Sequence, residues 1–507
     1  MPTYGFVIDL GKCIGCHACT IACKSEHDIP VGVNRCWVKT VEKGRFPETR
    51  RSFLPVLCNQ CTDAPCMAIC PTNALFRRRD GIVDLNSAAC IGCRACMVAC
   101  PYDQLFIDPN THTAEKCNFC ANRVENRLQP ACVSVCPTEC RIFGDLDDPA
   151  SEVARIVQRE AFMVRKPEKG TGPRVFYLGA DESTIRPEIA ARPFMFREGQ
   201  VHLRPLGAPE PDASKPGDPR VDYDVPHAKA WGADLVAYLM TKGLSTGAMG
   251  LPALLWLQGD RSALVRLAGP AIALIFAIVT AVVLVIDLER PERFYFILTR
   301  PNWSSWLARG AFLLMGHSAV VTIWLVAAWA GWTSVLTWLA PLAIAAALAA
   351  TAYTGFLFAQ GLARDLWQGP HNTIDLVVQA IAEGSAAMLV AATLVPHDAG
   401  TLRALAVTLA LASAVHLGLL ALEHLLVPSP TLHHELAVRA IRRGAYRRVF
   451  WIGACGLGGL VPVLVVWLAA SIGFPILLLV AAAVCALAGS LAWEYVWVDA
   501  GQAVPNS

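Results

Sequence analysis

Four runs of cysteine near the N-terminus carry the clearest chemistry in this chain. They are Cys13, Cys16, Cys19 and Cys23; Cys58, Cys61, Cys66 and Cys70; Cys90, Cys93, Cys96 and Cys100; and Cys117, Cys120, Cys132 and Cys136. The first and third read C-x2-C-x2-C-x3-C, the spacing of two-cluster ferredoxins, in which the fourth cysteine serves a different cluster from the first three. The second and fourth widen one gap and keep the terminal x3. Three of the runs end in Cys-Pro, at Pro71, Pro101 and Pro137. Sixteen thiolates in this order suit four clusters of the 4Fe-4S type. Zinc is the rival, but it needs only paired cysteines and leaves the third and fourth of each run unexplained. Cys13 to His17 also fits a C-x-x-C-H haem attachment, yet Cys19 and Cys23 account for the same residues better. Disulfides explain the order less well still. Cys36, Cys140, Cys455 and Cys485 stand outside the quartets, the last two in apolar runs where a small buried hydrophobe is the simple reading.

The elements that must position these residues divide sharply. The chain is 54% hydrophobic and 17% charged, too apolar for an ordinary soluble protein of 507 residues. Residues 1–180 are expected to form a soluble α+β ferredoxin-like domain, closed by a helix from Ser151 to Arg159 and a strand from Arg174 to Leu178. Residues 181–230 are rich in Pro, Gly and charge, as in the stretch from Gly207 to Pro219, and read as a linker. Residues 231–500 contain eight apolar stretches, near 234–257, 264–287, 306–330, 333–357, 373–396, 402–426, 448–470 and 474–498. Each exceeds the ~20 residues that span a bilayer as helix, so an all-α eight-helix membrane bundle is expected, with residues 501–507 as a tail. Small residues such as those from Ala343 to Ala350 suit close helix packing in lipid.

With eight spans both termini share one face. The loops on that face carry Arg290, Arg293, Arg300, Arg309, Arg364, Arg439, Arg442, Arg443, Arg447 and Arg448, against Arg261, Arg266 and Arg403 on the other. This asymmetry predicts a cytoplasmic cluster domain on a bacterial inner membrane. The N-terminal residues show neither a signal peptide nor a twin-arginine pattern, which points the same way.

The segment from Tyr4 to Cys23, with Phe143 to Ser151, resembles the four-cluster electron-transfer subunit of complex iron-sulfur molybdoenzymes of the DMSO reductase family. That resemblance implies that the first quartet exchanges its last cysteine with the fourth, and the second with the third, so that Cys136 completes the set begun by Cys13 and Cys100 the set begun by Cys58. From Trp231 onward the sequence resembles the NrfD-type membrane subunit of polysulfide reductase, through Lys242 to Gly247, Asp287 to Phe294, Pro301-Asn302, Tyr353 to Gly355 and Ala363 to Trp367. It implies a quinone site near the cluster-bearing face, of menaquinone or ubiquinone type, and no haem. It also implies a separate large catalytic subunit holding a molybdenum or tungsten pterin. In relatives the two halves are separate chains; here they are fused.

A quinone needs two electrons, two protons and partners for its carbonyls. On the cluster-facing half of the expected bundle the polar residues are Asp234, Tyr238, Lys242, Asp287, Arg290, Tyr353 and Arg364. Tyr238 and Tyr353 are the expected carbonyl partners, with Asp234, Lys242, Asp287 and Arg290 supplying charge or protons. The plainer alternative is that the end charges mark helix termini and the tyrosines anchor at the interface. Deeper lie His317, Glu383, His416, Glu423 and His424, as proton carriers or as helix-to-helix bonds.

The protein is therefore expected to be a non-catalytic electron-transfer and quinone-reacting subunit of an oxidoreductase complex, linking a catalytic partner, four clusters, and the membrane quinone pool. An alternative is a subunit of a larger quinol-oxidising or proton-translocating respiratory complex without molybdenum. A transporter would predict an internal repeat among the helices, and a sensor would need one cluster, not four. No P-loop or strand-borne G-x-G-x-x-G occurs, and no nucleic-acid partner is expected.

Overall fold

The computed structural model describes residues 2–190 and 217–507. In the N-terminal part, strand Tyr4–Asp9 pairs in parallel with Val175–Leu178 and antiparallel with Arg141–Asp145, and Phe162–Met163 extends the far edge. The closing helix runs Glu152–Arg159, with Ser151 before its first turn, and packs its Val153 and Ala154 under this sheet. A second sheet is built on the hairpin Cys36–Arg45 and Glu48–Leu57. Two short ribbons, Leu75–Arg77 with Val83–Leu85 and Leu105–Ile107 with Ala114–Lys116, flank the second and third cysteine runs.

The linker expected at 181–230 is only partly of that kind. Its segment 191–216 lies outside the described residues. Residues Gly217–Tyr223 form a strand on the open edge of Cys36–Arg45, despite their Pro and Asp content. The reason is the unpaired row of backbone groups that an exposed edge presents, which outweighs local propensity. The expected tail is also packed in. Arg165 donates to the Asn506 carbonyl at 2.9 Å, Lys166 to its side-chain oxygen at 2.6 Å, and Arg364 to the Val504 carbonyl at 3.0 Å.

The C-terminal part is helical. After Ala233–Leu257 come seven helices long and apolar enough to cross a membrane: Leu264–Ile286, Trp306–Trp329, Thr333–Ala359, His371–Ala391, Ala399–Leu426, Val449–Ser471 and Ile476–Gly501. The protein is a multi-pass membrane protein. Ala233–Leu257 is equally long, but Asp234, Lys242 and a Ser-Thr-Gly run make it more polar. Trp338, Leu477 and Trp467 project outward from the other helices, as lipid-facing side chains do. Close contacts use glycine. A Cβ on Gly384 would lie 2.2 Å from the Gly247 backbone, so Ala233–Leu257 and His371–Ala391 meet main chain to main chain.

One buried core is continuous across the two halves. It runs from the thiols of the second and third quartets through Trp231, Phe358 and Trp367 to Trp497. Trp231 stacks on Trp367 at 5.7 Å between centroids, and Phe358 lies 4.4 Å from Trp497. Aromatic pairs of this kind add about 0.5–1.5 kcal/mol each beyond area burial.

Candidate functional site: four thiol nests above a membrane pocket

Each cysteine run opens with the same backbone device. Two residues after the first cysteine the backbone turns left-handed, at Gly15 (φ 69°), Gln60 (46°), Gly92 (70°) and Phe119 (56°). That turn points backbone N–H groups back at sulfur: Phe119 N–H donates to Cys117 Sγ at 3.4 Å, and the Gly15 and Gly92 N–H groups bear on Cys13 and Cys90. Ala114 N–H, from the strand Ala114–Lys116, also donates to Cys90 Sγ at 3.4 Å. The left-handed Gln and Phe show that the device does not depend on glycine. Gly15 is needed for space, since a Cβ there would lie 2.4 Å from the Phe53 ring.

Proximity sorts the thiols into four sets. Cys100 is raised well above its ordinary pKa by burial first, then by neighbouring Cys58 and Cys66. Cys70 bears in the same way on Cys90, Cys93 and Cys96. Burial, then Cys132 and Cys120, pushes the Cys23 thiol up to about 12. Cys136 and Cys13 both meet Cys140, whose sulfur lies 3.5 Å from that of Cys136. The last cysteine of each run thus sits with a different run. The Cys36 thiol, hydrogen-bonded to Cys19, holds the Cys19 thiol down to about 5, helped by the Arg141 guanidinium.

The donor set fits iron-sulfur clusters. Burial pushes the Cys96, Cys100 and Cys117 thiols well up, so these favour the protonated form on their own, and coordination is what would make them ionise. Among the described residues no three His, Cys, Asp or Glu side chains close to the spacing a single ion needs. The four sets also form a line. The Cys90 set adjoins the Cys58 set through Cys96 and Cys66, and that set adjoins the Cys117 set through Cys58. Cys36 lies between Cys132 and Cys19, joining the Cys13 set at the far end, where Cys16 is exposed.

The membrane part holds the Cys90 set from below. Arg94 donates to the Asp287 carbonyl at 2.8 Å and also pairs with its carboxylate. Arg293 donates to the carbonyls of Ser87 and Cys90 at 2.8 and 2.9 Å, and Arg290 to that of Thr111 at 2.8 Å. Asn302 donates to the Cys70 carbonyl at 2.8 Å, Ser305 to that of Ile69 at 2.6 Å, and the Trp231 indole to that of Cys93 at 3.3 Å. Ala363 N–H reaches the Val98 carbonyl at 3.3 Å, and Arg364 pairs with Asp103 at 3.6 Å.

Beneath this roof lies a cavity of about 350 Å³, walled by Leu284, Leu288, Phe294, Met315, Lys242 and His317 among others. Its surface is mostly apolar, with polar groups converging on one side. His317 Nε2 stands 3.2 Å from Ser245 Oγ. Lys242 donates to Thr354 Oγ1 at 2.6 Å, and that hydroxyl is 3.1 Å from the Tyr238 hydroxyl, itself hydrogen-bonded to Tyr353.

The expected site residues therefore separate into three groups. Lys242 reaches the cavity. Tyr238 and Tyr353 are buried immediately behind it, with ring centres 5.3 and 5.9 Å from its ammonium, and do not line the cavity wall. Asp287 and Arg290 bond the cluster domain, and Asp234 is exposed at the start of its helix near Asp287. Sequence reasoning missed Trp231, Arg94 and Thr354 as parts of the site. Thr354 follows Tyr353 directly, and its polarity inside an apolar run was the available signal.

Comparison with known proteins agrees with this architecture. Residues 224–506 match the family described as polysulphide reductase, NrfD, and residues 49–146 match the 4Fe-4S dicluster domain. The N-terminal part is 44% identical over 200 residues to a subunit of the tetrathionate reductase of Salmonella typhimurium, covering 38% of this chain and 80% of that one. It is 36% identical over 222 residues to the arsenate respiratory reductase iron-sulfur subunit ArrB of a Shewanella species, covering 34% and 95%. One polypeptide of the polysulfide reductase of Wolinella succinogenes is 41% identical over 178 residues, covering 34% and 93%.

Proposed function

Because this polypeptide belongs to the NrfD polysulphide reductase family and carries an iron-sulfur dicluster domain in the same sequence, we propose that it is the electron-transfer and membrane-anchor subunit of a quinone-linked molybdenum or tungsten oxidoreductase. The observation that carries this reading is the seating of the Cys90 set, bonded through Arg94, Arg293, Asn302 and Trp231, over the cavity that Lys242 and His317 enter. Four 4Fe-4S clusters, one per thiol set, supply single-electron steps along a line from that cavity to the exposed Cys16. The cavity takes the quinone ring, of menaquinone or ubiquinone type, against its apolar wall.

Lys242 and His317 hold the polar end of that substrate, and Thr354, Tyr238 and Tyr353 form a hydroxyl chain behind Lys242. Asp287 and Arg290 set the height of the cluster domain over the cavity. Ala233–Leu257 serves as the eighth span, completing a bundle with both ends on the arginine-rich, cytoplasmic face of a bacterial inner membrane. Exposed Ile14, Ile21 and Val31 around the far set offer the surface on which a separate catalytic subunit docks. The substrate site belongs to that partner.

The test is purification in mild detergent from native membranes, with subunits identified and metals counted. A large partner with molybdenum or tungsten, and about sixteen irons per copy of this chain, is the expected result. Iron without either metal would favour a larger respiratory complex instead.

A further inference from the structure

The helix His371–Ala391 starts at the loop that docks the cluster domain, and it carries a polar stripe inward at every fourth residue: His371, Asp375, Gln379 and Glu383. Residues four apart share a helix face, so these four climb one side of the helix from its surface end to the level of Lys242. Asp375, Gln379 and Glu383 are buried, while the His371 side chain is 27% exposed. Polar and ionisable side chains are costly to bury at membrane depth, so two carboxyls and an amide in one row need a reason.

Neighbouring helices complete the row. His371 Nε2 lies 2.9 Å from Glu423, on the wide π-turn Leu422–Leu426 that also brings His424 inward. Asp375 is held by His416 Nδ1 at 2.6 Å and Gln379 Nε2 at 2.8 Å. Glu383 stands in electrostatic reach of Asp375 on one side and of Lys242 on the other, with Glu494 beside them. Gly243 makes room for it: a Cβ there would sit 1.9 Å from a Glu383 carboxylate oxygen.

A purely structural network closes its bonds. This one does not: Gln379 Oε1, His416 Nε2 and Ser413 Oγ are buried without a hydrogen-bond partner among the described residues. Such open acceptors and donors, at successive depths, are what ordered water needs to bridge one ionisable group to the next.

We infer that this stripe is a proton route, taking protons from the cluster-facing side at His371 and Glu423, through Asp375 with His416, past Gln379 to Glu383, and delivering them through Lys242 to the quinone cavity. The inference rests on the reading of that cavity as a quinone site. For each quinone reduced, two electrons arrive from the clusters and two protons arrive along the stripe, giving the quinol. Oxidation of quinol runs the same path outward.

The test uses the full-length, iron-loaded protein in liposomes, with the cluster domain shown by protease access to face outward. Dithionite reduces the clusters, a short-chain naphthoquinone reoxidises them, and pH dyes inside and outside report the side of proton uptake. Quinone binding is measured separately by fluorescence quenching. Wild type should take protons from the outer, cluster-bearing side. Asp375→Asn should slow reoxidation about a hundredfold with binding and iron content unchanged, and Asp375→Glu should recover most of the rate. Glu383→Gln, nearly isosteric, should behave as Asp375→Asn does and guards against a folding defect at position 375.

Uptake from the lumen, or Asn and Gln variants within about twofold of wild type, would overturn the route. Wild type that binds no quinone and is not reoxidised by it would overturn the quinone site itself, and the route with it.

Discussion

Gly92 and Glu289 meet at the seam between the two halves so closely that a Cβ on Gly92 would lie 2.4 Å from that of Glu289. Gly92 is also left-handed, at φ 70°. Gly92→Ala therefore meets both backbone strain and a clash at the point where the Cys90 set rests on the membrane part. The variant should keep most of its iron but lose quinone-linked electron transfer, compared by iron analysis and by cluster reoxidation with quinone. Unchanged transfer would show that the seam tolerates displacement.

Cys93 belongs to the set nearest the cavity. Cys93→Ser should cost about a quarter of the iron, or convert one cluster, and break the path to the quinone while leaving the outer sets reducible by dithionite. Electron paramagnetic resonance of the reduced protein checks this. A zinc-loaded, iron-free wild type would contradict the cluster assignment.

Tyr353 fits its place because Gly310 has no side chain; a Cβ there would come within 2.0 Å of the ring. Gly310→Ala should displace Tyr353, and Tyr353→Phe should break its bond to Tyr238. Both should slow quinone reduction about tenfold or more while leaving dye-linked activity of the complex intact. Equal loss of both activities would place the defect in folding or assembly.

Asp103 is buried against Arg364, at 3.6 Å, and against the Asn506 N–H at 3.1 Å. Burial pushes its pKa up, but the charges of His227, Arg364 and Lys166 more than offset this and hold it below the ordinary carboxylate value. A carboxylate depressed in the folded state stabilises above its unfolded pKa of about 3.9, and that contribution is lost as pH falls through the folded value. Asp103→Asn should lower the thermal midpoint at pH 7, removing about 3 kcal/mol by leaving Arg364 without its partner. From about pH 4 downward the difference between variant and wild type should shrink, closing only once pH has fallen below the depressed folded value, read by thermal denaturation in detergent across that range. A constant difference at all pH values would show that the charge of Asp103 is not what matters.

The cysteine spacing and the apolar runs made much of the architecture legible, because both signals are local. The runs expected near 264–287 and 306–330 are found as helices Leu264–Ile286 and Trp306–Trp329. The expected strand ending at Leu178 is found at Val175–Leu178. What escaped depends on distant partners. The strand Gly217–Tyr223 looks like linker until the open edge of Cys36–Arg45 is beside it. Asp287 and Arg290 look like groups waiting for a ligand, and only the folded protein shows Arg94 and the Thr111 carbonyl opposite them. Glu383 stands out in its apolar run, whereas Asp375 and His371 lie at the edge of that run and gain meaning only with His416 and Glu423 beside them.

The line of thiol sets ends at Cys16, which is exposed. A wire with one bare terminal discharges into whatever touches it. On the proposed function, electrons held by the isolated, reduced protein are open to dissolved oxygen at that end, so it should generate superoxide, and a partner that covers the end acts as insulation whichever way the current runs.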